Sequence, residues 1–161
     1  MRVMPESAEK VGSVMPMPLS RSEWTLLTIA SAEGRPLTPV QLQKSLFLLG
    51  RELPAAVGPD FYQFEPYDYG PFDATIYRDA EALAEQGLID IQPAPHARYN
   101  QYRATLQGLE QATALKRRAP VQAVTYLSTI VEWARSLTFP ELVRAIYARY
   151  PEYRSRSVFS G

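Results

Sequence analysis

A mainly α-helical chain with one small β-hairpin, an α+β fold, is what this sequence predicts. Three observations lead there. One helix-start device occurs three times: Leu19-Ser20 with Glu23, Leu37-Thr38 with Gln41, and Leu137-Thr138 with Glu141. In each, a Ser or Thr caps the helix and a Glu or Gln in the first turn reaches back. Apolar residues then recur at helical spacing, as a helix with one buried face requires. Two short runs, Leu88–Gln92 and Arg98–Thr105, flank the turn Pro93-Ala94-Pro95-His96 directly after a helical stretch and read as a hairpin.

Taken in order, residues 1–18 hold Pro5, Pro16 and Pro18 and show neither helical nor strand period, so a mobile tail is expected. Met1, Met4, Met15 and Met17 all fall there, which suggests a translation start at Met15 or Met17. The first helix starts after Ser20 and runs to about Ala32 before Gly34. The second starts at Pro39, carries the stripe Leu42, Leu46, Leu49 and Leu53, and stops at Pro54. Phe61–Tyr77 then concentrates Phe61, Tyr62, Phe64, Tyr67, Tyr69, Phe72 and Tyr77 around Glu65, Asp68 and the step Gly70-Pro71. Phe61–Glu65 reads as a short strand, and Asp73 as the cap of a helix over Ala74–Gln86 with Ile76, Ala80, Leu83 and Ala84 inward. Gly87-Leu88 fits a Schellman stop.

After the hairpin, Thr105 caps a helix with Leu106, Leu109, Ala112 and Leu115 that ends in Lys116-Arg117-Arg118, cations suited to a helix C-terminus. Pro120 opens a helix bearing Val124, Leu127, Val131 and Ala134, and the last helix turns Leu142, Ile146 and Tyr150 inward until Pro151. Residues 153–161 read as a basic, frayed tail. The expected organisation is a tail over 1–18, a core over 19–118 and a C-terminal helical extension over 119–161 packed on that core. The two helices after Pro120 offer a surface for a homodimer.

Composition narrows the function classes. At 161 residues, 46% apolar and 21% charged, the chain is long enough to build one genuine core. No apolar run approaches the ~20 residues that span a bilayer, and no segment resembles a secretory signal. No cysteine is present, which excludes disulfides and thiolate metal sites. His96 is the only histidine, so a zinc site of the usual ligands is not expected. The sequence offers no Gly-rich phosphate loop, no G-x-S-x-G elbow and no cysteine nucleophile. Glu65 and Asp68 are the one carboxylate pair to consider, and Pro66 between them leaves their relative direction open. The expectation is a cytoplasmic protein that is not an enzyme, with no catalytic residues, no metal, no cofactor and no membrane partner.

The order helix, helix, aromatic strand, helix, hairpin is that of a winged helix-turn-helix, and Tyr77–Ile89, YRDAEALAEQGLI, resembles the last helix and first wing strand of winged-helix regulators. The fold expectation is therefore a winged-helix-like core with additional C-terminal helices. About 20 residues separate the helices ending near Leu53 and beginning at Asp73, where a helix-turn-helix uses a turn of 3–4 residues. The hairpin would be the wing. His96, Arg98, Asn100, Gln101 and Arg103 on it are the candidate contacts to duplex DNA, cations meeting phosphate and amides reading base edges. The preceding helix is a poor groove reader, since it sets Asp73, Asp79, Glu81 and Glu85 against Arg78 alone. Residues 1–87 carry 7 Lys/Arg against 12 Asp/Glu and residues 88–161 carry 10 against 5, so a net −5 and a net +5 cancel. Any phosphate-facing surface is thus expected in the second half.

LQKSLFLL (Leu42–Leu49), followed by YGPFDATIYRD (Tyr69–Asp79), is similar to the Panacea antitoxin-type domain. Leu42, Gln43 and Lys44 match that family's first motif, with Ser45 in place of its leucine; Gly70-Pro71 and Tyr77-Arg78 match the second. The similarity covers residues 37–90. It implies a non-catalytic protein that neutralises a toxin by binding it, within regulatory or phage-defence loci.

Tyr67, Asp68, Tyr69 and Tyr77 are the candidate surface for a protein partner, because aromatics dominate interface hot spots. The competing reading makes Phe61, Phe64 and Phe72 core, with the tyrosines sealing its edge. The expected function is a non-enzymatic regulatory protein acting by macromolecular binding through a winged-helix-like domain, by DNA-linked regulation or partner docking. The alternatives are an antitoxin-like protein that binds a partner toxin, and a small-molecule-sensing regulator with an aromatic pocket.

Overall fold

One helix near the start of the chain has no exposed side over its middle turns, and the rest of the protein is arranged around it. The computed structural model describes residues 3–5 and 18–160. Expectations for the N-terminal tail and for starts at Met15 or Met17 fall almost wholly outside those residues. The elements are α1 (Arg21–Ala30), α2 (Pro39–Glu52), α3 (Pro54–Val57), β1 (Glu65–Tyr67), β2 (Gly70–Phe72), α4 (Thr75–Glu85), β3 (Ile89–Pro93), β4 (Asn100–Ala104), α5 (Leu106–Lys116), α6 (Val121–Arg135) and α7 (Phe139–Arg149). A 3-10 turn over Pro151–Arg154 follows. The mainly helical α+β class is as the sequence predicts, with two small hairpins instead of one.

Local chemistry starts and stops these helices. All three capping boxes close reciprocally, Ser20 with Glu23, Thr38 with Gln41 and Thr138 with Glu141, so two otherwise orphaned N–H groups are satisfied at each start. Thr105 caps α5 through the Gly108 N–H. At the end of α4 the Leu88 N–H donates to the Leu83 carbonyl and Gly87 sits at φ +79°, the expected Schellman geometry. The start of α4 lies one residue later than expected. Ala74 is already helical, and Asp73 instead accepts from the Thr75 N–H with one oxygen and from the Gln63 N–H with the other.

In α2 the residues Leu42 to Leu49 are buried without a break, because α1, α6 and α7 and both hairpins pack on different sides of it. Buried all round, such a helix needs partners for its polar side chains as well as its leucines; Gln43 and Lys44 find them, whereas the buried Ser45 hydroxyl makes no hydrogen bond among the described residues. The core continues through α1, α4 and α5 on one side and through Leu127, Ile130, Val131, Leu142 and Ile146 on the other. Because α6 turns Tyr126, Leu127, Ile130, Val131, Trp133 and Ala134 into this core, its outward residues are Val121, Thr125, Ser128, Thr129 and Glu132. On that face Val121 is the single large apolar side chain, which is little support for the expected homodimer.

Phe61–Glu65 is not a strand. The pairing begins only at Glu65, where β1 and β2 run antiparallel with Glu65 opposite Phe72, Pro66 opposite Pro71 and Tyr67 opposite Gly70. A strand needs a neighbour for its backbone, and among the described residues none lies beside 61–64. Phe61 and Tyr62 are buried instead, and the Tyr62 hydroxyl is held by Thr25 and Asp79. The second hairpin matches expectation, with β3 and β4 paired from Ile89–Ala104 to Pro93–Asn100. Leu37, in the α1–α2 connection, bridges Tyr102 through two backbone hydrogen bonds and ties this hairpin to the body. The expected frayed C-terminus is also corrected: the Val158 N–H donates to the Asp68 carbonyl, and Tyr153 packs edge-on against Phe47.

The opposed charge of the two halves is partly resolved within the fold. Arg118 pairs with Glu23 at 3.3 Å and Arg149 with Glu52 at 3.5 Å, while Arg35 and Arg51 of the first half pair with Glu132 and Glu152 of the second.

Candidate functional site, an aromatic cleft over a buried lysine

The polar residues inside α2 are the key to the site. Gln43 is buried, and its side-chain amide donates to the Asp73 carbonyl at 2.9 Å and accepts from the Asp73 N–H at 3.0 Å. In effect the amide continues the backbone pairing that β2 has just left. One residue on, Lys44 is 3% exposed and donates to the Pro71 carbonyl at 3.0 Å. Together they clamp the end of the β1–β2 hairpin to the central helix. Gly70 is required at this join: its φ is +110°, and a Cβ there would stand 3.4 Å from both Lys44 Cε and Tyr147 Cε1.

Above this clamp a cleft of about 530 Å³ opens between the first half of α2, the β1–β2 turn, α4, the loop joining β3 to β4, and the start of α7. Its inner walls include Val40, Phe72, Leu137 and Leu142, and Lys44 forms part of its lining. Tyr67, Tyr69, Tyr99 and Phe139 stand at its mouth, each between 41% and 45% exposed. Such a volume falls in the range of roughly 300–1,000 Å³ that small-molecule sites occupy.

The electrostatics are unusual at one point. Lys44 makes no ion pair among the described residues, and burial pulls its amine down from 10.5 to about 7. Asp68 lines the same cleft without pairing to it. Burial pushes the Tyr77 hydroxyl up to about 12, so it remains a neutral donor at ordinary pH. The aromatics form a connected column: Tyr67 stacks on Phe72 at 4.7 Å, Phe72 meets Tyr77 at 5.9 Å, and Tyr77 stacks on Tyr102 of β4 at 6.1 Å. Tyr69 packs edge-on against Phe139 at 5.0 Å.

The four residues singled out as a partner or ligand surface, Tyr67, Asp68, Tyr69 and Tyr77, all line this one cleft. Phe61 is core, as the competing reading has it, while Phe72 is a wall of the cleft. The wing candidates lie elsewhere. His96, Arg98, Asn100 and Arg103 are exposed and Gln101 is half-buried, and neither Arg98 nor Arg103 makes an ion pair among the described residues. His96 turns the hairpin loop at φ +57°. Between the two groups sits Tyr99, a loop residue whose ring lines the cleft. Of the two carboxylates considered as an acid–base pair, Glu65 is exposed and only the half-buried Asp68 reaches the cleft. Among the described residues no group of three or more His, Asp or Glu is placed to hold a metal, and no helix is long and apolar enough to cross a membrane.

Sequence reasoning placed Gln43 and Lys44 in a motif and passed over them as site residues. The available signal was two polar long-chain residues beside a leucine stripe, in a helix with scarcely any other polar residue over its middle turns. Comparison with known protein families, with curated proteins and with solved structures finds no match to this chain.

Proposed function

We propose that this chain is a non-enzymatic cytoplasmic regulatory protein acting by macromolecular binding through a winged-helix-like core, with the aromatic cleft as its small-molecule control site. The observation that carries the reading is the position of Tyr99, which belongs to the wing loop and lines the cleft. Occupancy of the cleft therefore bears directly on the loop that presents Arg98 and Asn100. The column ending on Tyr102 and the Leu37 bridge couple the same hairpin to the body. Output through the wing fits the charges better than output through α4, where Glu81 and Glu85 are exposed and would meet phosphate with the wrong sign.

The test is the salt dependence of binding to a random-sequence DNA duplex, followed by fluorescence anisotropy. Loss of two phosphate contacts in Arg98→Ala/Arg103→Ala lowers the slope of log K against log salt by about 2 and weakens binding at every salt concentration. Unchanged affinity and slope would remove the wing as the output surface.

A second reading, an antitoxin-like protein, is favoured by two specific contacts. The two short motifs behind the Panacea resemblance touch in space, Gln43 on Asp73 and Lys44 on Pro71. The four exposed aromatics would then be the docking rim. A wild type with no DNA affinity that nevertheless protects cells from a toxic neighbouring gene product, with protection lost in Tyr69→Ala/Phe139→Ala, selects this reading over the first.

A further inference from the structure

Lys44 is a buried amine that offers up to three N–H donors and meets one hydrogen-bond acceptor, the Pro71 carbonyl. Leaving buried donors unmade is costly, and a charge buried without a counter-charge more so. Protein interiors tolerate that arrangement where something else completes it. Lys44 lines the cleft, so a group that completes it would enter from there.

We propose that the cleft is a receptor for a small apolar monocarboxylate, whose oxygens take the free N–H donors of Lys44 while its hydrocarbon body lies against Val40, Phe72, Leu137 and Leu142. This rests on the cleft being a small-molecule site and names the class of molecule. The walls are apolar, which selects a hydrocarbon body over a sugar or nucleotide. The groups facing Lys44 and the cleft select the charge. They are Asp68, Tyr67 and Tyr69 from the hairpin, Tyr77 from α4, Tyr99 from the wing loop and Tyr147 of α7 beside Gly70. Lys44 is the one cation among the lining residues and Asp68 the one acid, so a single negative charge is matched and a second is repelled. Phosphates and dicarboxylates are thereby disfavoured. Because burial holds the amine near neutrality, arrival of a carboxylate restores its charge, and binding on the alkaline side takes up a proton.

Titration calorimetry of the full chain near pH 8, with 3-phenylpropionate and its neutral amide as probes, tests this. Running it in two buffers of different ionisation enthalpy reports the proton. The wild type is expected to prefer the acid over the amide by about tenfold or more and to take up close to one proton with the acid only. Lys44→Met, checked for a native circular dichroism spectrum, is expected to lose both the preference for the acid and the proton uptake. Should that variant not fold, the buffer-dependent proton uptake of the wild type stands as the deciding measurement. Equal affinity for acid and amide overturns the assignment of Lys44 and leaves a neutral-ligand cleft standing. A preference that survives Lys44→Met overturns it as well. No binding of either probe at millimolar concentration removes the receptor altogether. The DNA experiment with Arg98 and Arg103 uses no ligand, so failure of the wing output and failure of the receptor are read separately.

Discussion

Replacing Lys44 by methionine keeps a straight stem of similar volume and removes only the amine, so it isolates the energetic consequence of the buried charge. In the unfolded chain the amine has its ordinary value of 10.5, and burial lowers it to about 7 in the fold. Below that lower value the amine is protonated in both states, and the fold carries the full penalty of a desolvated charge. As pH rises toward 10.5 the folded form has lost a proton that the unfolded form still holds, and stability increases. At about 1.4 kcal/mol per unit, the wild type gains roughly 3 kcal/mol between about pH 7 and about pH 9.5. The variant has no such gain, but it leaves the Pro71 carbonyl without its donor, which costs about 1–2 kcal/mol at every pH. Lys44→Met is therefore expected to exceed the wild type by roughly 3 kcal/mol near neutrality and to match it near pH 9.5. Tyr62, Tyr77 and Tyr150 are also shifted upward by burial, and because both proteins share them the difference between the two curves is the quantity to read. Urea unfolding followed by circular dichroism across this range supplies it, with an unchanged m-value as the control. A wild-type-minus-variant difference that does not move with pH would refute a desolvated Lys44.

Two further substitutions probe the scaffold. A Cβ on Gly108 would lie 1.9 Å from the Leu88 carbonyl oxygen, a backbone atom that cannot swing aside, so Gly108→Ala must push α5 away from the start of the β3–β4 hairpin. A loss of about 3 kcal/mol or more in urea unfolding is expected, and wild-type stability would contradict the close approach. Tyr62→Phe leaves Thr25 buried without its 2.7 Å partner and leaves Asp79 to Arg21 alone. The expected loss is about 1–3 kcal/mol, measured the same way, and a loss under about 0.5 kcal/mol would show that the hydroxyl network is not holding the Phe61–Phe64 segment.

The site was half legible in the chain. Aromatic density marked Tyr67, Asp68, Tyr69 and Tyr77, and these do meet in one cleft. The Leu42, Leu46, Leu49 and Leu53 stripe was equally plain. It says which side of α2 faces inward, and it cannot say that the opposite side is covered too. That is why Lys44 passed as an ordinary helix residue until the hairpin was seen lying over it. The strand expected at Phe61–Glu65 failed for a related reason: aromatic residues announce burial, and a strand additionally requires a partner that only the folded chain provides.

By itself the sequence determined most of the helices with their starts and stops, and the β3–β4 hairpin, because each of those is decided by interactions among residues within a turn or two of one another. The tertiary structure alone decided that Gln43 pairs with Asp73 and Lys44 with Pro71, contacts that span 30 and 27 residues, and that the space above them stays open. Such contacts depend on how the helices pack and on where a hairpin comes to rest, and no local propensity records either.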